Sequence, residues 1–75
     1  MAKFTKTYNT VVTEAQKKGL KRAFKTLTEG LLMMGHDVEV IVDNFDGVKI
    51  AATLFDNGFP LDQKLIGERG GVTTL

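Results

Sequence analysis

The sequence predicts a two-layer α+β domain with the element order β–α–β–β, in which one long amphipathic helix packs on a small antiparallel sheet. Three observations lead to this prediction. Apolar residues recur at helical spacing within residues 13–35, a β-rich run precedes that segment, and two β-rich runs separated by turn residues follow it. We therefore expect residues 1–75 to form a single small domain, with residues 66–75 either a mobile tail or a docked final strand.

The first element is a strand over residues 3–12 (KFTKTYNTVV), a run rich in threonine, aromatic and β-branched residues. Side chains alternate between the two faces of a strand, so Phe4, Lys6 and Tyr8 would share one face. Thr5 and Thr7 would lie on the other.

The second element is the helix. Thr13 is placed to cap its first turn, with Gln16 as the reciprocal partner of a capping box, and Gly35 is placed to end it in a left-handed conformation. The apolar residues of this segment form one stripe: Leu20, Ala23, Phe24, Leu27, Leu31 and Met34. This stripe is the predicted contact with the sheet.

Small residues form a second strip along the helix. Its members are Ala15, Gly19, Ala23, Thr26 and Gly30. Glycine disfavours a helix interior, so such a strip suggests that another backbone approaches closely. The approaching backbone would be the sheet or, in a homodimer, the helix of a second copy. A third alternative is a helix that breaks near Gly30.

The best-defined local prediction is a β-hairpin that joins the runs 37–44 and 48–55 through the turn residues 44–47 (NFDG). A three-residue loop would pair Val42 with Ile50 and would place the valine, isoleucine and leucine side chains on one face. That face is the natural partner of the helix stripe. The conformation of residues 61–66 stays open between a helical turn and an extended edge.

Composition limits the chemistry. Cysteine and serine are absent and histidine occurs once, at His36, so the usual nucleophile–base pairs and thiolate zinc sites cannot be assembled. We therefore predict a protein that is not an enzyme and that uses no cofactor and no metal. No apolar run is long enough to cross a membrane, and the first residues lack the apolar core of a signal peptide. A small domain without cysteine is expected in the cytoplasm.

Charge is divided along the chain. Residues 1–36 contain seven basic and two acidic side chains, whereas residues 37–75 contain three basic and seven acidic ones, which gives the overall net charge of +1. The basic residues of the helix fall within an arc of roughly 140°: Lys17, Lys18, Lys21, Arg22 and Lys25. Like charges this close repel one another, so an external anionic partner is expected unless the face is simply solvated.

The hairpin supplies the opposite charge through Glu39, Asp43 and Asp46. These acids are either a surface for a basic partner or charges that protect an edge strand from unwanted pairing.

Apolar residues outside the predicted helix–sheet contact form an exposed patch unless the first strand and the tail cover them: Leu32, Met33, Ile41, Ala51 and Phe59.

These features favour a small non-catalytic protein that regulates or inhibits another protein by occupying its surface, through the basic arc or the acidic hairpin. The alternative is a nucleic-acid-binding module that uses the basic arc on phosphates. Against the alternative, no aromatic residue lies within the basic arc, since Phe24 belongs to the apolar stripe, and the isoelectric point is about 8.0.

Overall fold

A computed structural model describes residues 2–75 of the chain. Its elements are β1 (Phe4–Tyr8), α1 (Glu14–Met33), β2 (Val38–Asn44), β3 (Ile50–Asp56), β4 (Phe59–Ile66) and β5 (Val72–Thr74). The strands form one sheet in sequence order, and α1 packs on one face of it. The predicted α+β class with a helix on a sheet is confirmed. Within residues 2–75, no helix has the length and apolarity that a membrane crossing requires.

The sheet is mixed rather than wholly antiparallel. β1 runs parallel to β2, and the other three pairings are antiparallel. The cause is α1, which at about 1.5 Å per residue carries the chain roughly 30 Å back along the sheet before β2 begins. The structure also extends the sheet beyond the predicted elements, because residues 61–66 continue β4 and Val72–Thr74 pair with β4 as β5.

Both helix ends follow the predicted signals. Gln16 N–H donates to Thr13 Oγ1 (3.1 Å), and Thr13 N–H donates to Gln16 Oε1 (3.0 Å), which completes the capping box. At the other end Gly35 has a φ of +83°. His36 N–H then donates to the Leu31 carbonyl (3.0 Å), as in a Schellman motif.

The core lies between α1 and the central strands. Its buried apolar residues are Leu20, Phe24, Leu31, Val38, Val40, Val42, Ile50, Ala52, Leu54 and Ile66. The predicted stripe is partly wrong, since Leu27 is 36% exposed and Met34 is 65% exposed. Thr28, one position further along the helix than Leu27, is buried instead. A step of one residue turns a helix by about 100°, so α1 centred on Phe24 and Thr28 directs Leu27 to the side.

The small-residue strip has a different partner from those we predicted. A Cβ at Gly19 would lie 2.4 Å from the Gly70 carbonyl oxygen, so the backbone of the loop before β5 rests directly on α1. Close backbone approach is therefore confirmed, but by this loop. Gly30 has open space around it, and the helix continues through that residue without a break.

The hairpin forms with a register two residues away from the predicted one. Val42 pairs with Ala52 rather than with Ile50. The loop closes later than expected, where Phe45 N–H donates to the Lys49 carbonyl (3.0 Å). Because side chains alternate with a period of two, a slip of two residues leaves the same side chains on the core face.

Candidate functional site

A groove runs between α1 and the edge strand β1. The helix packs mainly over β2 to β5 and leaves the inner face of β1 largely uncovered. Phe4 and Tyr8 on that face remain 43% and 41% exposed. The groove has a volume of about 220 Å³. The groove is one of the places where apolar side chains of this fold are accessible to solvent.

Apolar side chains from both layers line the groove. The helix contributes Leu20, Phe24 and Leu32 together with the polar Thr28, and the sheet contributes Phe4 and Val40. Leu20, Phe24 and Val40 are almost fully buried and form the bottom of the groove, whereas Phe4 and Leu32 supply its accessible apolar surface. The free energy of the system falls when a partner removes an apolar surface of this kind from water.

Three lysines stand around the groove, together with one glutamate. They are Lys6 from β1 and Lys21 and Lys25 from α1, against Glu29 from α1. Lys6 Nζ lies 5.4 Å from the centre of the Phe4 ring, within the range of a cation–π contact. Among residues 2–75, none of the three lysines lies within 4.0 Å of a carboxylate oxygen. The groove is therefore an apolar floor with an excess of positive charge around it.

The outer edge of β1 carries backbone groups without partners in the sheet. Val38 N–H donates to the Lys3 carbonyl and Asn9 N–H donates to the Val42 carbonyl, each at 2.8 Å. In a parallel pairing the bonded residues of a strand alternate, so the odd-numbered residues of β1 turn their backbone towards β2.

By the same alternation, the N–H and C=O groups of Phe4, Lys6 and Tyr8 point away from the sheet. β1 is an edge strand with no other neighbour in the described chain. Free backbone groups of this kind are a template for another strand.

The five predicted basic residues do not form one equivalent surface. Lys21 and Lys25 border the groove. Lys17 lies 3.5 Å from the carboxylate of the first-turn glutamate, as an exposed pair of small energetic value. Arg22 donates to a carbonyl oxygen of the glycine loop before β5 (3.0 Å), so it ties that loop to α1. Lys18 is exposed on the polar side of the helix.

The three predicted acidic residues lie away from the groove, and each has a different role. Asp43 accepts a hydrogen bond from the Asn9 side chain (3.1 Å). Asp46 holds the hairpin loop by accepting from Lys49 N–H (2.9 Å). Glu39 lies on the sheet face opposite α1, because its neighbours in β2 point into the core.

The remaining predicted features have local roles or stay exposed. His36 Nδ1 lies 2.8 Å from Asp56 Oδ1 and joins the end of α1 to the end of β3. Of the apolar residues outside the predicted contact, Leu32 packs against the core, whereas Met33 and Phe59 are 89% and 67% exposed. Residues 2–75 contain no group of three or more side chains suited to hold a metal ion.

Sequence reasoning placed Phe4, Lys6 and Tyr8 on one strand face but did not include them in a site. The signal that identifies them is the strand–helix–strand order, since a long helix between two neighbouring strands makes them parallel. The alternation of side chains within β1 does not predict that the helix covers the other strands and leaves the inner face of β1 exposed.

Comparisons with protein-family models, with curated proteins and with solved structures gave no significant match.

Proposed function

We propose that this chain is a small non-catalytic binding protein that regulates or inhibits another protein in the cytoplasm by occupying its surface, and that the contact is made through the α1–β1 groove. The observation that supports this proposal is an open apolar groove bordered by three lysines without acidic partners. Lysines held near apolar surface favour a partner that brings apolar side chains and carboxylates together.

The partner that fits this surface is an acidic protein segment with apolar anchors. Apolar anchors would cover the accessible side chains of Phe4 and Leu32, where most of the binding free energy is expected. Carboxylates would pair with Lys21 and Lys25 around the groove and would raise the association rate more than the final affinity.

Nucleic acid is the competing partner class for the basic residues. Phosphates would engage the whole arc from Lys17 to Lys25 without using the groove. Within that arc, Arg22 donates a hydrogen bond to the Gly70 carbonyl and Lys17 pairs with Glu14. Fewer cations are therefore free to bind phosphates than the sequence suggests. For this reason we favour the protein partner.

A pair of matched double variants tests the proposal. Lys21→Glu/Lys25→Glu reverses two charges beside the groove, and Lys17→Glu/Lys18→Glu reverses two charges on the same helix outside the groove lining. Binding of a labelled peptide rich in glutamate and leucine is measured by NMR shift titration, beside an oligothymidylate of equal charge. We expect the first variant to weaken peptide binding by at least about tenfold and the second by much less.

Two results would contradict the proposal. If neither labelled ligand binds the unmodified protein, the groove is not a site for acidic segments. If the oligothymidylate binds more tightly than the peptide, and both double variants weaken it equally with a steep salt dependence, the nucleic-acid alternative replaces the protein partner.

A further inference from the structure

Resting on the proposed function, we infer that the partner segment binds as an added β-strand along the outer edge of β1, so that the sheet continues from this chain into its partner. The free N–H and C=O groups of Phe4, Lys6 and Tyr8 supply the hydrogen bonds. Strand addition to an exposed sheet edge is an established way of recognising an extended peptide, in which backbone bonds give affinity and alternate side chains give specificity.

The position of the groove determines which side chains the added strand must carry. Phe4 and Lys6 direct their side chains to the helix side of the sheet, where the groove lies. Every second residue of an added strand would lie on that side, over the apolar floor and between Lys6, Lys21 and Lys25. These positions select leucine-like and acidic side chains.

The opposite side of the added strand would meet different neighbours. Thr5 and Thr7 occupy that face of β1, because they alternate with the groove-facing residues. Cross-strand pairs of threonine with threonine are favourable on a sheet. The sequence class that fits is therefore an alternation of acidic or apolar residues on one face with threonine-like residues on the other.

A second copy of this chain fits the edge less well. If two β1 strands paired antiparallel about their centre, Lys6 of each copy would lie directly opposite the other. Like charges in that position destabilise the pair. The lysines around both grooves would also approach one another, with no carboxylate of β1 to offset them. Charge thus favours an acidic strand from another protein over self-association.

Two variants at one residue separate strand addition from other ways of filling the groove. Lys6→Ala and Lys6→Pro both remove the lysine side chain, but only proline removes the outward N–H. Proline is tolerated on an edge strand when its missing N–H faces solvent. We expect Lys6→Pro to bind the probe peptide TETLTET at least about fivefold more weakly than Lys6→Ala, because one backbone hydrogen bond is lost.

The sequence of the probe provides an independent measurement on the unmodified protein. TETLTET places its leucine and both glutamates on one strand face, whereas TTELETT has the same composition with leucine and glutamate on opposite faces. We expect TETLTET to bind more tightly. Two N-methylated forms of TETLTET extend the test, one methylated at the odd-numbered and one at the even-numbered residues. Only one of these sets would direct its N–H groups towards β1, so only one form should bind more weakly.

The outcomes distinguish this inference from the function on which it rests. Equal binding by Lys6→Pro and Lys6→Ala, with both variants folded by circular dichroism, would overturn strand addition. The groove proposal would survive that result if Lys21→Glu/Lys25→Glu still weakened peptide binding by at least about tenfold. If Lys6→Pro fails to fold, the two N-methylated peptides replace it as the test. Equal weakening of binding by both peptides would overturn strand addition. A concentration-dependent dimer in sedimentation that blocks peptide binding would assign the edge to a second copy instead.

Discussion

At the scale of single residues, α1 contains two positions where the packing opposes the preference of an isolated helix. Gly19 is a poor helix former, yet the loop before β5 needs its missing side chain. Thr28 occupies the buried face, yet its hydroxyl has no hydrogen-bond partner in the described chain. Each position yields a prediction whose direction depends on which of these effects is larger.

The two interior glycines of α1 should respond to alanine in opposite directions. Gly30→Ala should stabilise the protein by about 1 kcal/mol, because its surroundings are open and alanine favours the helix. Gly19→Ala should destabilise it, since the new Cβ would lie 2.4 Å from backbone that cannot move without displacing the loop. Urea unfolding of both variants measures the difference. A stabilised Gly19→Ala protein would show that the loop does not rest on α1.

Replacing the buried hydroxyl should also stabilise the fold. Thr28 is 7% exposed, and its Oγ1 is desolvated without compensation. Valine has nearly the same shape and helix propensity, so Thr28→Val should raise the free energy of unfolding by about 1 kcal/mol. Thr26→Val, on the exposed side of the same helix, is the matched control and should change little. A loss of stability in Thr28→Val alone would mean that the hydroxyl has a partner.

At the scale of the elements, local signals in the sequence predicted the ends of α1 but not the surroundings of each strand. Thr13, Gln16 and Gly35 act within one or two turns, so their roles could be predicted without knowing the fold. The hairpin register could not be predicted from side-chain alternation alone, because registers two residues apart place the same side chains on the core face. The groove depends on which strands α1 covers, and this is a property of the assembled layers.

The capping box of α1 is also connected to the hairpin, because Gln16 contacts both. The Gln16 side chain accepts from Thr13 N–H and donates from Nε2 to the Val48 carbonyl of the hairpin loop (3.2 Å). Thr13→Ala should lower the free energy of unfolding by about 1 kcal/mol. Thr10→Ala, three residues earlier and outside the helix, is the control for thermal unfolding. Equal effects of the two variants would argue against the cap.

At the scale of the whole molecule, the fold places the acids of the hairpin away from the groove and leaves the outer edge of β1 unpaired. The acids of the hairpin support its turn or lie on the face away from α1, while Lys21 and Lys25 border the groove. The edge opposite β1 consists of the short strand β5 and of residues 59–63 of β4, which extend beyond β5. Arg22 and Gly19 hold the loop before β5 on α1. β1 is the edge strand that lies beside the apolar groove, and for this reason we propose it as the place where a partner strand adds.

Amide hydrogen exchange should reveal this edge directly in the free protein. In β1, the N–H groups of Thr5 and Thr7 face β2 and should exchange slowly, whereas those of Lys6 and Tyr8 face outward and should exchange quickly. The central strands β2 and β3, paired on both sides, should be the most protected. Addition of TETLTET should slow exchange at Lys6 and Tyr8 because its carbonyls would accept their hydrogens, while TTELETT should have less effect. Uniform protection along β1 in the free protein would mean that another part of the chain or a second copy already covers the edge, and strand addition by a partner would then require its displacement.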